Sequence, residues 1–185
     1  MCQTGADMIG LNFYKKSKRY IDGSDRFMQT KKGPQRVGVF VQEDIEIVLK
    51  KAKAYNLDYI QCHGHESKEY CRQIQSHIKV IKVFSISKKE DFSQTEAFSF
   101  CDLFLFDTYT KDFGGSGQRF DWSLLKDYQS KNQFLLAGGI GPEDVNAIKK
   151  INHPQFLGVD INSKFEIEPG LKNEKGVSTF IKALK

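Results

Sequence analysis

Apolar positions along the chain fall into short runs of strand length, separated by stretches in which they recur at helical spacing. Residues 8–13 (MIGLNF), 36–41 (RVGVFV), 59–63 (YIQCH), 80–84, 103–107 (LFLFD), 134–137 and 156–161 read as strands. Between them, Ile45, Val48, Leu49 and Ala52 mark one face of a helix over 43–55, and further helical segments are expected over 22–32 (beginning near Ser24), 67–76, 88–98, 122–130, 143–151 and 176–184. Pro142 suits the first turn of the 143–151 helix, and Thr4-Gly5-Ala6-Asp7 reads as a helix end turning through Gly5 into the first strand. The run Leu103-Phe104-Leu105-Phe106 is apolar on both strand faces, as expected in a parallel sheet covered on both sides, and it ends on the carboxylate of Asp107.

Seven β units, each followed by a helix or helical turn, predict an α/β fold, either a (β/α)8 barrel or a doubly wound open sheet. Even strand spacing and glycine-bearing loops after the last three strands favour the barrel, with one unit short of eight. With 185 residues and 39% hydrophobic content the chain is expected to form a single domain over 1–185. No run approaches the roughly 18 apolar residues of a membrane span, and MCQTGADMIG has no basic-then-apolar leader, so a cytoplasmic protein with no membrane partner is expected. Cys2, Cys62, Cys71 and Cys101 show no metal-ligand spacing, which fits free thiols in a reducing compartment. The formal charge of +5 is dispersed among acidic residues apart from Lys15, Lys16, Lys18 and Arg19. That cluster suits a small anionic ligand better than nucleic acid.

Candidate chemistry gathers at the C-terminal strand ends, where the loops of α/β folds converge. Asp107 is there, with a strand-capping aspartate as the plain alternative. Three loops bring glycines or small polar residues to the same rim: Gly114-Gly115-Ser116-Gly117, Gly138-Gly139 and Asp160-Ile161-Asn162-Ser163. Each is an ordinary turn by itself, but together they suit a phosphate held by backbone N–H groups. Arg19 follows the first strand, where a guanidinium can grip a carboxylate with two parallel bonds, unless it is a solvated surface arginine. Gln61 and His63 share one strand face by the two-residue period, leaving His63 open to a core, donor or proton-carrying role. His65, His77 and His153 have no partners at metal spacing, so no metal is expected. No Walker loop, GxGxxG or GxSxG motif occurs.

In GADMIGLNFYKKSKRYI, VGVFV, LDYIQCHGHE, VIKVFSI, LFLFDTYTKDFGGSGQRFDW, LLAGGIGPEDV and GVDINSKFEIEPGLKN, taken in order, the chain resembles the phosphoribosylanthranilate isomerase family of tryptophan biosynthesis. The resemblance implies a (β/α)8 barrel that converts a phosphoribosylated anthranilate to an open-chain ketose by an Amadori rearrangement, with no metal or cofactor, as a monomer or homodimer. It implies that Asp107 is the general acid protonating the ribose ring oxygen and that Arg19 holds the anthranilate carboxylate. Gly115, Ser116, Gly117, Gly138, Gly139, Asn162 and Ser163 match the family's phosphate loops, Asp160 leads into the last of them, and Gln61 and His63 match its QxHG strand end.

Two departures stand out. Asn162-Ser163-Lys164 replaces the family's usual Ser-Ser-Gly, so Lys164 either adds charge near the phosphate or points away. The family's first strand, with a Lys-x-Cys-Gly motif whose cysteine is the general base, is not seen, and the first strand and most of the first helix are expected to be absent. Cys2 aligns in the following helix, and Cys62 is expected to face away from Gln61 and His63. Two functions remain in view: an isomerase, or a non-catalytic phosphate-ligand-binding barrel or subunit completed by another chain.

Overall fold

In the computed structural model, which describes residues 4–22, 33–108 and 120–185, seven strands form one parallel sheet. They are β1 (Met8–Asn12), β2 (Gln35–Phe40), β3 (Tyr59–Cys62), β4 (Lys79–Ile86), β5 (Leu103–Thr108), β6 (Phe134–Leu136) and β7 (Phe156–Val159), and their order in the sheet is their order in the chain. A doubly wound sheet must reverse its strand order at a switch point. This sheet never does, so of the two predicted architectures it follows the barrel's one-directional winding as a half-barrel.

The helices are α1 (Ile45–Tyr55), α2 (Lys68–Gln75), α3 (Val145–Lys149) and α4 (Glu174–Leu184). Their apolar sides join one sheet face in the main core, where Val48, Cys71, Ile74, Ile148, Val177 and Phe180 meet Ile60, Phe84, Phe104, Phe106 and Phe134. The opposite, inner face carries a smaller cluster of Val37, Ile81, Val83, Leu103, Leu105 and Ala137. Strand periodicity thus divides LFLFD: Phe104 and Phe106 pack toward the helices, while Leu103, Leu105 and Asp107 share the inner face. Cys62 lies on the helix side, as its alternation with Gln61 and His63 predicts.

Local chemistry sets the element ends. Asp44, Ser67 and Asn173 cap α1, α2 and α4 by accepting from Glu46, Tyr70 and Gly176 backbone N–H groups. Asn56 closes α1 in the left-handed region at φ 49°. Two predicted helices are instead 3-10 segments, Lys89–Phe98 and Trp122–Asp127. In the first, the Ser93 and Thr95 hydroxyls bond back to the carbonyls of Glu90 and Phe92, holding tight three-residue turns. The second stops early because Tyr128 turns extended; its ring packs on Phe106 and Phe134 and its hydroxyl donates to Asn132 O. The helix expected over 22–32 lies outside the described residues except for Asp22.

After β7 comes a 3-10 turn, Ser163–Phe165, and an antiparallel hairpin of β8 (Glu166–Glu168) and β9 (Leu171–Lys172), which the apolar pattern did not suggest. Glu166 stands directly opposite Lys172 in that hairpin.

Candidate active site

Asp107 lies near the C-terminal end of β5, beside Ser85 of β4, on the inner face. Its Oδ1 accepts the Thr108 N–H at 2.8 Å. The Thr108 hydroxyl in turn accepts the Phe120 N–H at 3.0 Å, tying the strand end to the far side of its loop. Gly138 packs on this pair from the end of β6. A β-carbon there would sit 2.4 Å from Thr108 Oγ1 and 2.7 Å from Asp107 Oδ1, and φ is +88°, so both space and backbone call for glycine.

His63 follows β3, its N–H bonded to Phe40 O. Gln61 Nε2 lies 2.9 Å from His63 Nδ1. An amide NH2 can only donate, so Nδ1 accepts and the neutral ring carries its proton on Nε2. That nitrogen faces Asp107 Oδ2 at 3.7 Å. Burial pushes His63 down, against the opposing pull of Asp107 and Glu66, and favours the uncharged ring. Burial likewise pushes Asp107 up, against the His63 charge and the Thr108 N–H. Both shifts favour a neutral imidazole beside a carboxyl that keeps its proton to higher pH, which is the state a general acid needs.

The turn carrying His63 is held from below by a buried ion pair absent from the sequence-based site. Lys82 Nζ contacts Glu66 Oε2 at 3.0 Å and Gly64 O at 2.6 Å, while Glu66 accepts the N–H groups of Gly64 and Gln42. A lone lysine inside the apolar run VIKVFSI, on the helix-facing side of its strand, was the available signal.

On the first loop, Ser17 N donates to Tyr14 O, Tyr20 N to Ser17 O, and Ile21 N to Asn12 O, folding residues 14–21 against the end of β1. Lys15, Lys16 and Lys18 are exposed, whereas Arg19 is half-buried and grips Glu166: Nε lies 2.8 and 3.0 Å from its two carboxylate oxygens, and Nη2 also donates to Oε2. Lys172 Nζ reaches Glu166 Oε1 at 2.9 Å and Asn162 Oδ1. With Gly170 N–H as a further donor, these bonds outweigh the cost of burial and hold the Glu166 carboxyl down at about 2. Sequence reasoning missed Glu166 and Lys172. Their signal was the Pro169-Gly170 turn between short alternating runs, which marks a hairpin.

Asp160 follows β7, its N–H bonded to Leu136 O at 2.7 Å. It meets solvent, yet protein atoms crowd its carboxyl and push it up to about 6, with help from the nearby Asp107 charge and against Lys172. Gly138 and Gly139, both at positive φ, occupy the loop after β6, and Asn162 and Ser163 the loop after β7. Lys164 bridges these loops by pairing with Glu143 at 2.6 Å. Gly115, Ser116 and Gly117 lie outside the described residues. No three described His, Cys, Asp or Glu side chains are grouped to hold a metal ion.

A buried carboxyl with a raised pKa, an imidazole inclined to stay neutral and a side-on arginine at the C-terminal rim of a one-directional parallel sheet are the equipment of an α/β-barrel-type acid–base enzyme. More particularly, the chain belongs to the N-(5'phosphoribosyl)anthranilate (PRA) isomerase family, whose pattern matches residues 1–183. A Parabacteroides distasonis N-(5'-phosphoribosyl)anthranilate isomerase is 46% identical over 182 residues, covering 95% of this chain and 82% of the relative. Thermotoga maritima phosphoribosyl anthranilate isomerase superposes with a TM-score of 0.84 at 36% identity, covering 98% of this chain and 89% of that one. A phosphoribosyl anthranilate isomerase in complex with reduced 1-(o-carboxyphenylamino)-1-deoxyribulose 5-phosphate gives 0.81 at 33%, covering 98% and 88%.

Proposed function

We propose that the protein isomerises N-(5'-phosphoribosyl)anthranilate to 1-(2-carboxyphenylamino)-1-deoxyribulose 5-phosphate in tryptophan biosynthesis. The observation that carries the reading is Asp107, an inward-facing carboxyl that burial inclines to keep its proton, beside the neutral ring of His63. Asp107 gives its proton to the ribose ring oxygen as the C1–O bond breaks, and the anthranilate nitrogen lone pair forms the Schiff base. Loss of the C2 proton then gives an enolamine, which tautomerises to the ketose. Arg19 holds the anthranilate carboxylate. Gly138, Gly139, Asn162 and Ser163, with Gly115, Ser116 and Gly117, hold the phosphate, and Gln61 orients His63 toward the reacting end. Asp160 stands close to Asp107 on the same rim, where the Asp107 charge helps raise it.

The reading includes an eighth parallel strand between β1 and β7, making a closed (β/α)8 barrel of a single domain and bringing the cysteine base that the family resemblance implies. β1 and β7 are the two ends of the seven-stranded sheet, and Leu157 of β7 is exposed at that edge. These features support closure, because an open pair of parallel edges leaves backbone groups unpaired. The test is conversion of N-(5'-phosphoribosyl)anthranilate by the protein with and without a Lys-x-Cys-Gly strand joined ahead of β1. Turnover that requires the strand and its cysteine supports the reading; no turnover with the strand in place and the barrel folded refutes it.

A further inference from the structure

Among the described residues of the catalytic rim, Glu166 has the most heavily bonded side chain, and its place beside a candidate anion-binding arginine looks at first self-defeating. The geometry resolves this. A guanidinium offers two forked edges, one formed by Nε and Nη2 and the other by Nη1 and Nη2. Glu166 takes the first edge, receiving Nε at 2.8 and 3.0 Å and Nη2 through Oε2. Among the described residues, nothing accepts from Nη1, so the end-on fork is left for a second carboxylate.

Other bonds fix Glu166 itself. Gly170 N–H donates to Oε1 at 3.1 Å, Lys172 Nζ donates to the same oxygen at 2.9 Å, and the Lys172 ammonium continues to Asn162 Oδ1 on the loop after β7. The side chain is 4% exposed, so it has little freedom to leave when a ligand arrives.

We propose that Glu166 is a positioning residue for recognition of the aryl carboxylate: by occupying the Nε edge of Arg19 it fixes the guanidinium plane and presents the Nη1/Nη2 fork to the substrate. The inference rests on the function proposed above. It also opposes a simpler view, in which Glu166 merely neutralises Arg19. Neutralisation alone implies that removing the carboxylate strengthens binding of every anionic ligand.

The test measures calorimetric affinity for two ligands, reduced 1-(o-carboxyphenylamino)-1-deoxyribulose 5-phosphate and its phenylamino counterpart lacking the carboxylate. The native protein is expected to prefer the first. Glu166→Gln should weaken that ligand about tenfold or more and the second by about twofold or less. Glu166→Asp keeps the charge but falls short of Arg19, and should behave like the glutamine variant. As an independent readout, the Arg19 Nε–H resonance should exchange slowly in the native protein and lose that protection in both variants.

Equal losses on both ligands, unchanged or tighter binding in Glu166→Gln, or native behaviour in Glu166→Asp would each overturn the proposal. If the native protein binds neither ligand, the proposed function fails and takes this role with it. If the native protein prefers the carboxylated ligand and the variants keep that preference, the function stands and the role of Glu166 falls.

Discussion

A carboxyl group acts as an acid near neutral pH only where its surroundings make the charged form costly, and burial pushes Asp107 in that direction against the His63 charge and the Thr108 N–H. Asp107→Asn keeps the shape and removes the proton, so kcat should fall by about 10² to 10⁴ with little change in KM; steady-state kinetics with near-native kcat would remove Asp107 from the acid role. Gly138→Ala forces a methyl group into the Asp107–Thr108 contact at positive φ. It should cost about 1–3 kcal/mol of stability and lower kcat by displacing the acid, as thermal melts and kinetics would show. Glu166 supplies a pH signature. Its folded value of about 2 lies below the ordinary glutamate value, so its contribution is complete above the unfolded value of 4.5 and is lost as pH falls toward 2. The unfolding free-energy gap between the native protein and Glu166→Gln should therefore shrink over that window, by up to about 3 kcal/mol. A gap that stays constant there would mean that the carboxylate is not held by Arg19 and Lys172.

At the scale of elements, the Lys82–Glu66 pair ties β4 to the turn after β3, and so supports His63 from outside the site. Lys82→Met leaves Glu66 buried without its cation and should cost about 3–5 kcal/mol in chemical denaturation. Combining it with Glu66→Gln should recover part of that loss, because the amide oxygen still accepts from Gly64 or Gln42; no recovery would show that the charge itself holds the turn. The strands were legible because an inner and an outer core demand apolar residues at nearly every position: 103–107 and 134–137 reach within a residue of β5 and β6. Gln61 and His63 were legible as sharing a strand face from alternation, and Asp107 as the C-terminal end of an apolar strand. The 3-10 segments were not, since Ser93 and Thr95 bonding back to the chain leaves no trace in apolar spacing. Nor was the hold of Glu166 on Arg19, which joins residues 147 positions apart. Pattern reports local periodicity, and that contact exists only because the sheet brings the first and last loops together.

For the whole molecule, the seven-stranded sheet has well-paired middle strands and two outer ones. The outward amides of β1 and β7 should exchange hydrogen roughly a hundredfold faster than those of β4, a contrast that disappears if a further strand covers both edges. Arg19→Ala should weaken the carboxylated ligand by about 2–5 kcal/mol while leaving this exchange pattern unchanged, since the arginine serves the site and not the sheet. The thiols have a different use. Cys62, Cys71 and Cys101 are all buried in the layer between sheet and helices. With Cys2 replaced by serine, a thiol-reactive disulfide reagent can reach the remaining sulfurs only when that layer parts. The labelling rate then becomes a clock for the breathing of the core, read without denaturant, and it should slow whenever a ligand binds the opposite, inner face.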